Sequence, residues 1–246
     1  MSTPYISQTQ YGKYEDFNLQ VARGQIQGHS TVNIYGYQPA IVTSPLPVWE
    51  NATAYTYPIA AAVMYLSGTN GDTAQILISG LDSAYKMISE TVTLNGATPV
   101  ATTKQYLRVN SMSVTVGSAT NPAGIVYLKN VTGTVTYAQI NAGIGRTQMA
   151  IYTVPAGYTF FLQRVAIYTS LNGNDYITYQ NKTVSSTGVV QVTQQAPFAV
   201  SYDALRIMPR PVLEKTDVQL LCACKSGTAS VAVAQEGYLI KNETGY

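Results

Sequence analysis

Few residues of this chain have the types and spacing that catalysis requires. Its 246 residues include one histidine, two cysteines and 12 acidic residues. The histidine, His29, precedes Ser30 in a Gln-Gly-His-Ser segment. A catalytic role would need an acid or a nucleophile beside the ring, and the sequence does not say which residue reaches it. We therefore interpret His29 as a structural or exposed histidine.

A second candidate pairs the single tryptophan with a carboxylate, at Trp49 and Glu50. Aromatic rings stack on sugars, and a carboxylate can act as acid or nucleophile in glycoside hydrolysis. No second acid is placed nearby by the sequence, and a lone tryptophan is more often a packing residue. The pattern favours, at most, a carbohydrate-binding or host-receptor surface with Trp49, Tyr55 and Tyr57 as ligand contacts.

The remaining candidates also favour structure over chemistry. Cys222 and Cys224 are two residues apart in an apolar stretch, so in a strand both thiols share one face and fill the core. The run Gly143-Ile-Gly145-Arg146 lacks the third glycine of a phosphate-binding loop, and a strand pattern follows it where a helix should begin. We expect no cofactor, no metal and no enzymatic activity.

The composition points instead to assembly. Charged residues make up 11% of the chain, against about 25% in average proteins. A surface rich in neutral polar groups repels like copies weakly, which favours a symmetric homo-oligomer. With a net charge of +2 and only Arg206 and Arg210 as a basic hint, no nucleic-acid partner is expected. No membrane partner is expected either, because no apolar stretch approaches the ~20 residues of a membrane span. No signal-peptide pattern is present.

Short runs of β-forming residues are separated by Gly, Asn and Pro signals along most of the sequence, a pattern typical of sandwiches and barrels. The sequence predicts strands over Thr31–Tyr37, Ala61–Leu66, Ala74–Ser79, Tyr85–Leu94, Tyr106–Val116, Ile125–Lys129, Thr134–Ile140, Gln148–Thr153, Tyr158–Thr169, Tyr176–Gln180, Gly188–Thr193, Ala204–Met208, Val218–Cys224 and Ala229–Ile240. The predicted fold class is all-β, with two jelly-roll-like antiparallel β-sandwich domains.

Three segments follow from this pattern: an extended N-terminal arm (1–30), one sandwich (31–143) and a second sandwich (144–246). The arm lacks periodicity but carries Tyr5, Tyr11, Tyr14 and Phe17. Disordered tails usually lack aromatics. We therefore prefer an arm that lays these four rings on a neighbouring subunit, with a disordered tail as the alternative.

Several stretches resemble a group of uncharacterised virion proteins of marine tailed bacteriophages. They are NLQVARGQIQGHSTVNIYGY (18–37), the run from Pro47-Val-Trp-Glu50 to Tyr55-Thr-Tyr-Pro58, IYTVPAGYTFF (151–161) and Glu236-Gly-Tyr-Leu-Ile240. The resemblance spans most of the chain, but its motifs are structural, so it transfers no functional residue.

The resemblance implies a place in a phage particle, with synthesis in the host cytoplasm. We expect a non-enzymatic head decoration or cement protein that bridges subunits of the major capsid protein as a homo-oligomer, with a trimer as the first expectation. A neck or tail-appendage component and a carbohydrate- or host-receptor-binding module are the alternatives.

Overall fold

A computed structural model describes residues 15–51, 53–115, 120–171 and 175–242 of the chain. One helix is described, α1 (Phe17–Ala22). The strands are β1 (His29–Ile41), β2 (Leu46–Pro47), β3 (Ala62–Gly68), β4 (Gln75–Leu81), β5 (Met87–Thr93), β6 (Val100–Tyr106), β7 (Arg108–Val114), β8 (Val126–Lys129), β9 (Thr136–Ile140), β10 (Ile151–Thr153), β11 (Tyr158–Thr169), β12 (Ile177–Val184), β13 (Val190–Phe198), β14 (Ser201–Val212), β15 (Asp217–Cys224) and β16 (Ala229–Lys241). The all-β sandwich class predicted from the sequence is confirmed.

The larger sandwich has the strand order of a jelly roll. One sheet runs β1-β16-β11-β14 and the other β10-β15-β12-β13, with all the pairs antiparallel. The short strand β2 pairs with β15 on the edge opposite β12, so β2 and β10 are two halves of one strand position. Counted in chain order with that position as the second, the sheets read 1-8-3-6 and 2-7-4-5, which is the order of a double-sheet jelly roll.

The smaller sandwich is inserted between the two halves of that position. Its sheets run β6-β3-β8-β9 and β5-β4-β7. The chain leaves the jelly roll after Val48 and returns at Ala150, where Trp49 and Met149 form an isolated antiparallel bridge. Leu220 of β15 holds both ends: its carbonyl accepts from Val48 N at 2.9 Å and its N–H donates to Ala150 O at 3.0 Å.

A glycine in β1 lets the chain pass through this crossing. A Cβ at Gly36 would lie 2.4 Å from Val48 O and 2.7 Å from Ala150 Cβ, closer than side-chain atoms approach. Only glycine therefore allows β1 to lie against the point where the chain leaves and re-enters the jelly roll.

Alternating burial explains why these segments form strands. In β12 the residues Ile177, Tyr179, Asn181 and Thr183 are buried and their neighbours are half-buried. The same period of two continues through β16 from Ala229 to Gln235. The inward-facing apolar side chains of each sandwich form one core, and Trp49, Met149 and Ile151 belong to the core of the inserted sandwich.

The sheets group the chain differently from the sequence-based division at residue 143. Strand β1 pairs along its length with β16, from His29 opposite Ile240 to Ile41 opposite Ala229. It therefore lies in the jelly roll with the C-terminal strands, while β3 to β9 form the inserted sandwich. The sequence predicted β1 as a strand but could not name its partner about 200 residues away, because pairing is not a local property.

The expectation of an extended arm needs correction over its described part. Asp16 caps α1 by accepting a hydrogen bond from Asn18 N at 2.8 Å. Val21 and Ile26 are buried against Tyr238 of β16. Burial of this apolar cluster on the jelly roll, rather than helix propensity, holds a helix too short to be stable alone.

Candidate interaction sites

The catalytic candidates are not assembled into a site. The ring of His29 lies 3.1 Å from the Gln27 carbonyl and edge-on to Phe17 at 6.2 Å, and neither neighbour is an acid or a nucleophile. Gly143 and Gly145 lie between β9 and β10, so a strand is the next element after them. Arg146, the residue after them, places its guanidinium over the Tyr35 ring at 5.0 Å. Among the described residues, no group of three or more His, Cys, Asp or Glu side chains could hold a metal ion.

Glu50 is buried at the crossing between the sandwiches. It is 6% exposed, and neither carboxyl oxygen makes a well-formed hydrogen bond within the described ranges. Burial raises the pKa of Glu50 to about 7, and the nearby backbone groups of Gln148 and Asn141 lower it to a smaller extent. The Glu50 carboxyl is therefore a buried polar group of the crossing.

The expected ligand contacts Trp49, Tyr55 and Tyr57 form a packed aromatic row. Trp49 is 1% exposed, and its indole N–H donates to Thr53 O at 2.8 Å. Tyr55 stacks edge-on against Trp49 at 5.1 Å and against Tyr57 at 4.9 Å. Burial raises the pKa of both tyrosines, as expected for phenols out of water.

This packing disfavours Trp49 as a ligand contact, because its ring is 1% exposed. Its ring fills the core of the inserted sandwich because the β2 connection carries it inward immediately before the insertion begins. The sequence identified an aromatic cluster, but the solvent exposure that a sugar platform requires depends on which core the ring enters.

The aromatic row leads to an ion pair between the two sandwiches. Arg108 of β7 lies over the Tyr57 ring at 4.6 Å and makes two hydrogen bonds to Asp217 of β15. Thr153 Oγ1 also donates to Asp217 Oδ1 at 2.6 Å. The side chains of Arg108 and Asp217 are 11% and 6% exposed. The charges are thus neutralised within the junction and are not available to a substrate.

The expected arm contacts fall partly outside the described residues, where Tyr5, Tyr11 and Tyr14 lie. Phe17 is described: it begins α1, is 46% exposed, and packs edge-on against Tyr238 at 5.5 Å. Half of its ring surface therefore remains open to solvent beside the outer face of β16.

A different apolar surface stands out along β13 and β14. Of the 17 large hydrophobic residues exposed in the described chain, eight lie between residues 189 and 213. They are Val189, Val190, Val192, Val200, Leu205, Ile207, Met208 and Leu213. We call this surface the β13–β14 edge, because each of the two strands has a sheet partner on one side only.

The two arginines of β14 are hydrogen-bonded to β13. Arg210 Nη1 donates to Thr193 O at 2.7 Å, and Arg206 Nη2 donates to Gln194 Oε1. Sequence reasoning took Arg206 and Arg210 only as a basic hint and did not single out Ile207 and Met208. The missed signal is the sequence Arg206-Ile207-Met208-Pro209. Two large apolar residues stand there next to a proline that marks a turn, and turns are normally polar.

No helix of the described residues has the length and apolar character needed to cross a bilayer.

Comparisons with known proteins assign no family to this chain. No family model matches it, and no curated protein matches it. A solved structure described as "Structure of infectious bursal disease virus Gt strain" is similar over 89% of this chain and 78% of that chain, with 10% sequence identity and a TM-score of 0.19. A likeness at that level identifies neither a family nor a function.

Proposed function

We propose that this protein is a non-enzymatic structural component of a virion. The observation that carries the proposal is the jelly-roll strand order with a second sandwich inserted at its second strand position. Jelly rolls occur in viral capsid domains as well as in lectins and cupins, so the fold alone does not decide among them.

Two features of the described residues favour a capsid-like role among these. A cupin would need a set of metal ligands, which these residues lack. A lectin using the predicted aromatics would need an exposed ring at Trp49, which is buried. An apolar edge on a weakly charged protein is the kind of surface that builds assemblies.

The finer proposal follows the sequence resemblance to tailed-phage virion proteins. We place the chain on the head as a decoration or cement protein that bridges capsid subunits as a homo-oligomer, with a trimer expected. A neck or tail component is the alternative position within the same particle.

Quantitative mass spectrometry of purified particles that encode this chain tests the general proposal. We expect many copies per particle, retained through density-gradient purification. A chain found only in the lysate of infected cells contradicts a virion role. A cryo-EM reconstruction then separates the two positions, since a decoration protein repeats over the head lattice while a neck or tail protein forms rings or fibres on one axis.

A further inference from the structure

The edge strand β14 contains a long bulge. Leu162 of β11 pairs with Arg210, and Arg164 of β11 pairs with Leu205. Residues 206–209 of β14 therefore face the single residue 163 of β11. Four residues opposite one cannot keep the ladder, so this part of β14 must project from the sheet edge.

Two of the projecting residues, Ile207 and Met208, are large, apolar and almost fully exposed. Ile207 is 99% exposed and Met208 is 85% exposed, and Leu205 beside them is 70% exposed. A monomer gains nothing by holding two large apolar side chains in water, whereas a partner that covers them gains their full transfer free energy.

The base of the bulge is held in place. Arg206 and Arg210 are tied to Gln194 and to the Thr193 carbonyl of β13. Gln194 Nε2 in turn donates to the hydroxyl of Tyr202 at 2.7 Å. A fixed base means that Ile207 and Met208 are presented in one arrangement, which reduces the ordering cost of binding.

We propose that the β13–β14 edge is a contact between copies of this chain, with Ile207 and Met208 as its anchor. The edge holds eight of the 17 exposed large hydrophobic residues of the described chain, and such a concentration of exposed apolar residues marks a protein–protein contact. The low charge of the chain leaves little repulsion between copies.

A lipid surface fits the edge less well than a second copy. A membrane-binding loop carries cationic side chains that point with the apolar tip towards anionic headgroups. Here the two flanking arginines are engaged with β13 instead. The proposal does not depend on the virion role, because the contact exists wherever the chain is concentrated.

Sedimentation velocity of the full chain tests the contact. At about 100 µM, where a contact of micromolar Kd is saturated, we expect the wild type to be oligomeric. The double variant Ile207→Ser/Met208→Ser should weaken association at least about 30-fold. The control Ile59→Ser removes a side chain that is 103% exposed and lies outside the edge, so it should associate like the wild type.

Each other outcome overturns the proposal. They are a wild type that stays monomeric, a double variant that associates normally, and a control that fails as badly as the double variant. Circular dichroism should show equal melting of all three proteins, since the replaced side chains are exposed.

Hydrogen exchange provides a second measurement that does not rely on a variant. Amides of residues 205–208 should exchange more slowly at high than at low concentration of the wild type. Equal exchange overturns the proposal. Co-sedimentation of monomers with phosphatidylserine–phosphatidylcholine vesicles, lost in the double variant, would identify a lipid partner instead and equally overturn it.

Discussion

Arg108 and Asp217 join the inserted sandwich to the jelly roll through a bidentate ion pair. Arg108 Nε lies 2.8 Å from Asp217 Oδ1 and Nη2 lies 3.0 Å from Oδ2. Burial by itself lowers the pKa of Arg108, but hydrogen bonding to Asp217 and its charge raise it above its usual value. The guanidinium also donates to Pro58 O at 3.0 Å. One side chain thus links β7, β15 and the segment that begins the insertion.

Replacing Asp217 by Asn should destabilise the protein by about 3–5 kcal/mol, because the Arg108 charge would stay buried without a counter-charge. Urea unfolding of Asp217→Asn, Arg108→Met and the double variant measures this as a double-mutant cycle. We expect the double variant to be more stable than Asp217→Asn. The exposed pair of Arg164 and Asp203 is the control, and Asp203→Asn should cost much less than Asp217→Asn. Additive effects of Asp217→Asn and Arg108→Met would contradict coupling.

The strands on either side of this salt bridge could be predicted from the sequence, but the salt bridge itself could not. The alternation of apolar and polar residues predicted strands such as Tyr158–Thr169 with the bounds that the structure has. The salt bridge could not be predicted, since Arg108 and Asp217 are 109 residues apart and meet only after both sandwiches form. The sequence Glu214-Lys215-Thr216-Asp217 taken alone indicates a loop with a local ion pair that leads into a strand.

The same limit applies to which large apolar side chains are buried and which are exposed. Trp49 and Ile207 are both large and apolar, yet one is 1% exposed and the other 99% exposed. The sequence marked Trp49 as a candidate contact because aromatic rings stack on sugars. Whether a side chain is buried depends on how its segment pairs with distant strands. Ile207 is exposed because it lies in the bulge of β14 opposite β11, and the sequence of β14 alone does not show that pairing.

Glu50 makes stability depend on pH. Its pKa is raised from 4.5 to about 7 in the folded protein. The folded state therefore holds a proton that the unfolded chain releases between these values, so the free energy of unfolding falls as pH rises from about 4.5 to 7. Glu50→Gln removes this dependence and should be more stable than the wild type at pH 8 by about 3 kcal/mol, and nearly equal at pH 5.

Urea unfolding of both proteins at pH 5 and pH 8 measures the difference. Glu236→Gln is the matched control, since its carboxylate is partly exposed beside Arg164 and its replacement should change stability by under about 1 kcal/mol at either pH. A Glu50→Gln effect that is the same at both pH values would show that the carboxyl is not protonated in the folded protein.

Trp49→Ala should destabilise the protein by about 3–5 kcal/mol, because it empties space in the core of the inserted sandwich. Trp49→Phe keeps most of that volume and should cost less. Thermal melts by circular dichroism compare both with Tyr168→Ala, which removes a ring that is 51% exposed and should melt like the wild type. An unchanged melting temperature for Trp49→Ala, with loss of glycan binding, would restore the ligand-contact interpretation.

The two cysteines should be inert in the folded protein. Cys222 and Cys224 are free, buried in the jelly-roll core and directed to one face of β15. Burial raises the pKa of both thiols, so the reactive thiolate is scarce at neutral pH. Cys224 Sγ also donates to Ile41 O at 3.2 Å, which holds it towards β1. Ellman's reagent should therefore titrate both thiols in urea and neither of them in the native protein.

An added surface thiol calibrates this measurement. Ile59→Cys places a thiol at a fully exposed position and should react within minutes under native conditions. Rapid native reaction of the wild type, or a mass two hydrogens below the reduced mass after purification without reductant, would contradict the core role. Either result would mean that β15 opens to solvent. Because β15 lies between β12 and the β2–β10 position, such opening would expose the core of the jelly roll.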